Sequence, residues 1–378
     1  MNKPVLLSIA ALAAFALAVP SVAATTKGPA AGKTVKIGVI ADVTGNAAVY
    51  GVAQKNAYDL ANEDIKSGII DAGGVNLSFD VQDPASDGAQ VVNLFQKFTT
   101  DGTPLVLGPT LSGEAKRGDP VAVRANLAVV GTSTTADGIT SLGSCVFRVA
   151  LSEAQVIPKT IAKTKSLWHY KTAAIIFGDD NPFTKTNGDI FKEQLEKNGV
   201  EIVDTETFHQ NDKDFQASLT KIGSKKPDVL VIGALFPEAT KIIEQATKLG
   251  IRTHMMGGNG LNSSQMYDVA GPGAQGTVVG AAWFIDGKYT GNREFVARFK
   301  KKFGTLPDQF AAQAYAGAQV VAALAKEGKV AKEDMCPALR DLKVANTVLG
   351  PLAFDANRDV KSAPVILQIV KGGFAYLR

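Results

Sequence analysis

The residues of this 378-residue chain best suited to chemistry are two clusters of hydroxyl side chains. Thr110 and Ser112 follow the apolar run 105–107 and Gly108, and Thr132, Ser133, Thr134 and Thr135 follow the run 128–130 and Gly131. If the two runs are neighbouring parallel strands, both clusters share the carboxyl edge of one sheet, where open α/β sheets bind ligands. Hydroxyls and backbone N–H groups suit a small anion there, above all if residues 112–114 open a helix. Ser and Thr are also ordinary loop residues and N-caps. Two clusters at equivalent strand ends favour the anion reading over that one.

Apolar candidates occupy similar positions. Tyr50 follows the first strand-like run, Phe183 follows Gly178-Asp179-Asp180-Asn181-Pro182, and Phe236 follows Gly233-Ala234-Leu235. The polar Asn259 follows Met256-Gly257-Gly258. Each alone reads as structural; together they would wall a cleft with apolar faces around an anion clamp. Catalytic sets are poor. His169, His209 and His254 lie far apart in the sequence, none with a carboxylate at metal-ligand spacing, so neither a metal nor a cofactor is expected. There is no G-x-S-x-G elbow and no phosphate-binding G-x-x-x-x-G-K-[ST] loop. Gly271–Gly276 matches G-x-G-x-x-G, but a helix-like stretch precedes it and a strand follows. The dinucleotide fingerprint needs strand, loop, then helix, so this reads as a helix end and connector.

The elements that must position these residues alternate. Strand-like runs occupy 34–40, 77–83, 105–107 and 128–130, with helical spacing over 51–67, from Asp87 as N-cap, and over 113–126. Phe147-Arg148-Val149 closes this block. A second block repeats the order: helix 154–167, strand 172–177, helix 183–198, strand 201–208, helix 215–224, strand 228–233, a helix from Pro237 to Leu249 and strand 254–257. Such alternation means βαβ units and parallel sheets, here as two α/β lobes. The remainder holds strands at 276–283, 350–355 and 363–370 and helices at 293–303, 310–326 and 333–342. These pieces must complete the two lobes, so the chain crosses between them more than once and leaves a cleft, a preferred ligand site.

Composition bounds the partners. Hydrophobic residues make up 46%, charged residues 20% and the net charge is +4, with no Lys/Arg run that points to nucleic acid. Residues 1–24 read as a cleavable secretory signal: Lys3, an apolar stretch over 5–19, then Pro20 and small residues. The mature chain is therefore expected in the periplasm. The two cysteines, Cys145 and Cys336, are either one long-range disulfide or two buried thiols.

Several segments resemble the solute-binding proteins of branched-chain amino acid ABC transporters, the Leu/Ile/Val-binding type with the type I periplasmic binding fold. They are K-I-G-V-I-A-D-V-T-G, G-P-T-L-S-G, F-R-V-A, N-D-K-D-F, F-P-E-A, A-Y-A-G-A-Q and N-T-V-L-G-P-L-A-F-D, in that order over nearly the whole mature chain. The resemblance implies two doubly wound lobes joined by a three-stranded hinge that closes on ligand. On this basis 34–148 plus 281–345 form the N-terminal lobe and 149–280 plus 346–378 the C-terminal lobe. It implies that Ser112, with neighbours Leu111 and Ser133, and the Thr134–Thr135 pair hold a ligand carboxylate. Tyr50, Phe183, Phe236 (or Leu235 in its place) and Phe310 would form the walls. A monomer working with an inner-membrane permease is implied, and no enzyme.

One departure sets the ligand apart. Amino-acid-binding members carry an acid where this chain has Asn259, and that acid pairs with the ligand's α-ammonium. A neutral amide compensates a buried ammonium poorly; Asp179, Asp180 and Glu238 are the other acids that could substitute for it. The expected ligand is a small apolar carboxylate: an aromatic acid, a branched 2-oxo acid or a branched-chain amino acid. The rivals are an amide or urea binder of the same fold and a secreted α/β enzyme.

Overall fold

β-Branched and aliphatic runs form the strands, and the segments between them carry the 3.6-residue apolar spacing of helices. The structure, a computed structural model, describes residues 27–378; the expected signal, 1–24, lies outside the described residues. The first block comprises β1 (Thr34–Ile40), α1 (Ala48–Lys66), β2 (Asn76–Gln82), α2 (Gly88–Thr100), β3 (Leu105–Leu107), α3 (Ser112–Arg124), β4 (Ala128–Gly131) and β5 (Val146–Arg148). The second comprises α4 (Glu153–Trp168), β6 (Thr172–Gly178), α5 (Pro182–Lys197), β7 (Glu201–Phe208), α6 (Gln216–Lys225), β8 (Val229–Gly233), α7 (Phe236–Lys248), β9 (His254–Gly257), α8 (Met266–Ala270) and β10 (Val278–Ala281). The chain ends with α9 (Asn292–Phe303), α10 (Gln309–Lys326), α11 (Lys332–Asp341), β11 (Lys343–Thr347), β12 (Gly350–Ala353), β13 (Val365–Val370) and β14 (Gly373–Tyr376).

The first sheet has the order β2-β1-β3-β4-β5, parallel throughout. The second runs β14-β13-β10-β9-β8-β6-β7, parallel except for β13, which pairs antiparallel with both β10 and β14. In both sheets the winding reverses beside the first strand, between β1 and β3 and between β6 and β8. At such a switch point adjacent loops leave in opposite directions and open a crevice at the carboxyl edge. β3 enters its loop through Gly108, at φ +104, where a Cβ would lie 2.3 Å from the Ile40 carbonyl oxygen. Only glycine fits that turn.

One hydrophobic core lies under the first sheet and includes buried residues of α1, α9, α10 and α11. The chain passes to the second sheet after β5, returns after β10, and passes back between β12 and β13. An isolated bridge between Arg148 and Asp359 ties the first and last of these passages. Cys145, just before β5, is disulfide-bonded to Cys336 of α11, with Cα atoms 5.4 Å apart.

Local patterning located most elements to within a residue or two, and Asp87 caps α2 by accepting the Ala89 N–H at 2.7 Å. The strand expected over 276–283 is shorter, because Gly276 still turns at φ +82. β11 and β14 had no sequence signal. β11 is K-V-A-N-T, largely exposed, and β14 directly follows Gly372; both exist through pairing with β12 and β13. The glycine motif at 271–276 lies between α8 and β10, as its context implied. Among the described residues no helix is long and apolar enough to cross a membrane.

Candidate ligand cleft

The two switch points face each other. From the first sheet come the loop after β1 with the start of α1, and the loop from β3 into α3. From the second come the loop from β6 into α5 and the loop from β8 into α7. Between them is a small cavity lined by Tyr50, Thr110, Leu111, Ser112, Ser133, Phe183, Leu235, Asn259, Gly260 and Phe310. The lobes are drawn together, leaving about 20 Å³ for the centres of water-sized spheres. That is on the order of one water site, since a single water needs roughly 10–15 Å³ by this measure. A ligand therefore enters only when the lobes part.

Tyr50 latches this closed arrangement. Its hydroxyl donates to the Gly260 carbonyl at 2.8 Å and accepts from the Phe236 N–H at 2.6 Å, reaching from α1 to two loops of the second sheet. Burial holds the phenol neutral by raising its pKa. The ring lies 4.5 Å from that of Phe310. Gly260 must be glycine: a Cβ would lie 2.2 Å from the Ala234 carbonyl oxygen.

Most of the hydroxyls are committed to one another. Thr110 Oγ1 accepts from the Asp42 N–H at 3.0 Å and donates to Gln54 Oε1 at 2.7 Å. Gln54 Nε2 donates to Thr132 and Ser133, at 3.2 and 2.9 Å, and Ser133 donates to the Thr110 carbonyl at 2.6 Å. Ser112 Oγ accepts from the Ala136 N–H at 3.2 Å, so its own proton is available to the cavity. Ser112 also opens α3, whose first N–H groups have no partner within the helix and favour an anion. Glu114 stands behind that helix end with Oε2 accepting the Leu111 N–H at 3.1 Å. Burial, then repulsion from Asp42, raises its pKa and favours the protonated form, which leaves the helix dipole free to meet an anion.

Of the residues expected around the ligand, Tyr50, Leu111, Ser112, Ser133, Phe183, Asn259 and Phe310 meet in this lining, whereas Thr134, Thr135 and Phe236 do not. Leu235 takes the wall position beside Phe236. Thr134 Oγ1 is buried without a partner. Thr135 turns away and donates to Glu153 Oε1 at 3.1 Å. Glu153 had no signal in the sequence. It is 1% exposed, its Oε1 also accepts the Asn259 N–H at 3.0 Å, and its Oε2 has no partner. Burial pushes its pKa up to about 7, against the lowering effects of those two bonds and of Arg148.

Among the described residues no ionisable carboxylate, ammonium or guanidinium lines the cavity. Asp179 and Asp180 are exposed and pair with His209, with Asp179 Oδ1 3.0 Å from His209 Nδ1, so the fold brings carboxylates to a histidine that sequence spacing had left alone. Glu238 is buried and accepts the Asn211 N–H at 2.9 Å. His254 stacks on Trp168, their ring centroids 4.1 Å apart, at the opposite edge of the second sheet. Ser112 therefore has no base beside it. The cleft can clamp an anion with neutral donors and enclose an apolar body.

The chain matches the family model for periplasmic binding proteins over residues 34–374. It is 28% identical over 341 residues to the Leu/Ile/Val-binding protein homolog 1 of Brucella suis biovar 1, an alignment covering 88% of this chain and 90% of that one. Two solved structures share the fold. One is the branched-chain amino acid transporter substrate-binding protein LivJ of Streptococcus pneumoniae in complex with isoleucine (TM-score 0.83, 24% identity, 90% of this chain and 98% of that one). The other is an ABC transporter solute-binding protein of Rhodopseudomonas palustris in complex with 3,4-dihydroxybenzoic acid (TM-score 0.81, 24% identity, 91% and 96%). These are transport binding proteins rather than enzymes. The chain belongs to the periplasmic binding protein family, as a solute-binding protein of the branched-chain amino acid ABC transporter type.

Proposed function

We propose that this protein captures a small apolar carboxylate lacking an α-ammonium group, an aromatic acid or a branched 2-oxo acid. After export through its signal segment it works in the periplasm as a monomer, and closed around its ligand it delivers it to an ABC permease in the inner membrane. Ser112 and the N-terminus of α3 hold the carboxylate; Tyr50, Leu111, Phe183, Leu235 and Phe310 enclose the apolar body.

The observation that carries the reading is the orientation of Asn259. Its Oδ1 accepts from Gln309 Nε2 and, at 3.4 Å, from Asn262 Nδ2. The free end of the amide is therefore the NH2 group, a donor in a lining with no acid. A donor meets a keto or hydroxyl oxygen well and an ammonium badly.

A branched-chain amino acid is the second reading, favoured by the unpartnered oxygen of Glu153 beside the Asn259 backbone. Calorimetric titration with leucine, valine, 4-methyl-2-oxopentanoate and benzoate separates the two. Binding of the oxo acid or benzoate with little or none of leucine is expected. Tight binding of leucine or valine without either of the others overturns the proposal in favour of the second reading.

A further inference from the structure

Two backbone groups at the end of β10 fix which way Asn259 faces, and Gln309 transmits the stronger of the two constraints. The Ala282 N–H can only donate, and it donates to Gln309 Oε1. The other end of that amide is then necessarily Nε2, and it donates to Asn259 Oδ1. Independently, the Gly280 carbonyl can only accept; it accepts Asn262 Nδ2 at 2.9 Å, and the same nitrogen lies 3.4 Å from Asn259 Oδ1. Oxygen and nitrogen of an amide are close to isosteric, so a side-chain amide is oriented by its partners rather than by its shape. Here both chains of partners end on groups whose roles are not interchangeable. Gln309 is 4% exposed with both amide ends engaged, and turning it over would set two N–H donors face to face at Ala282. It is the first residue of α10, which packs on α1, whereas Asn259 follows β9 of the second sheet. The lock therefore spans the closed cleft.

We propose that Gln309 is a specificity-determining positioning residue. Acting through Asn259, it commits the second lobe to present a hydrogen-bond donor where the ligand's α-substituent lies, and so selects an α-oxygen over an α-ammonium. This rests on the ligand class proposed above. The selectivity is then written in a residue 50 positions from Asn259.

The test uses a matched pair, leucine and 4-methyl-2-oxopentanoate, which share the carboxylate and the isobutyl chain and differ at the α-carbon. Their affinities are titrated for the wild type, Gln309→Glu and Gln309→Leu. In Gln309→Glu, one carboxylate oxygen still accepts the Ala282 N–H. The other then demands a donor and outweighs the long 3.4 Å contact from Asn262, so the Asn259 amide turns over and shows its oxygen to the cleft. One exchanged hydrogen bond to a charged ligand group moves the ratio of affinities toward leucine by roughly 10–100-fold. Titrations of variant and wild type side by side at about pH 6 and about pH 8, since Glu153 and Asp308 also titrate at about 7, add a second signature. A buried carboxyl that holds its proton acts as a donor, like Gln, and restores the wild-type ratio at the lower pH. Gln309→Leu removes the lock, and the ratio moves toward leucine by less. If both variants keep the wild-type ratio at both pH values, whatever their overall affinity, the lock does not exist. A variant that fails to fold leaves the other to decide. The wild-type ratio by itself tests the ligand class, and the change on substitution tests Gln309, so either can fail alone.

Discussion

Glu153 is a buried acid just behind the cleft, 1% exposed. In L-S-E-A-Q it is one acid at the start of a helix. In the fold it supports Asn259 and Thr135 from below with one oxygen. Its folded pKa, pushed by burial from an ordinary 4.5 up to about 7, means that the folded state prefers the protonated form. The stability it contributes is complete below about pH 4.5 and is lost as the pH rises through 7. One such proton gives a slope of about 1.4 kcal/mol per pH unit across that window. The ligand-free protein is thus expected to be more stable at the acid end, measured by urea denaturation at successive pH values. Asp42, raised by burial, and Asp308, raised by burial to about 7, push the same way. The diagnostic is therefore the difference made by Glu153→Gln, which removes one proton's worth of slope. Equal slopes in variant and wild type would refute the assignment.

At the scale of elements, Arg148 of β5 organises the hydroxyl loop that follows β4. Its guanidinium donates to the carbonyls of Thr134 and Ala136, at 3.1 and 2.8 Å, and forms a two-pronged pair with Asp359 of the last crossing segment. The arginine is 3% exposed. Ala136 is the residue whose N–H meets Ser112, so the same arginine holds one edge of the anion site. Arg148→Met removes the partner of a largely buried carboxylate, and a loss of about 3–5 kcal/mol is expected in chemical denaturation. Arg148→Met combined with Asp359→Leu is expected to recover part of it, because no unpaired charge is left behind. A double variant no more stable than the single one would show that the loop carbonyls, not the ion pair, dominate. F-R-V-A stands out in the sequence as a segment; that its arginine reaches forward to Asp359 and back to the hydroxyl loop is decided by the isolated bridge between the two crossings.

For the molecule as a whole, the closed state is held by apolar packing and hydrogen bonds across the cleft, and Tyr50 makes two of those bonds. Tyr50→Phe keeps the ring against Phe310 but strands a buried N–H and a buried carbonyl in the closed form. Opening rehydrates both, so closure is disfavoured by about 1–3 kcal/mol. Small-angle X-ray scattering is expected to show a larger radius of gyration for the ligand-free variant than for the wild type. Ligand affinity should drop roughly 5- to 100-fold. An unchanged radius together with unchanged affinity would remove Tyr50 from the closing device.

By itself the sequence determined the alternation of strands and helices, the two lobes, the hydroxyl clusters at strand ends and the family. Those properties are carried by neighbouring residues, whose periodicity and turn chemistry act over a few positions. Only the tertiary structure decided that β1 lies beside β3 and β6 beside β8, which turns four separate loops into two facing crevices. The same level turned Thr135 from the cavity to Glu153, put Leu235 rather than Phe236 on the wall, and set Asp179 against His209. It also oriented Asn259. An asparagine in a sequence is equally donor and acceptor; which end it shows depends on partners such as Gln309 and, beyond it, the N–H of Ala282, and no local pattern encodes them.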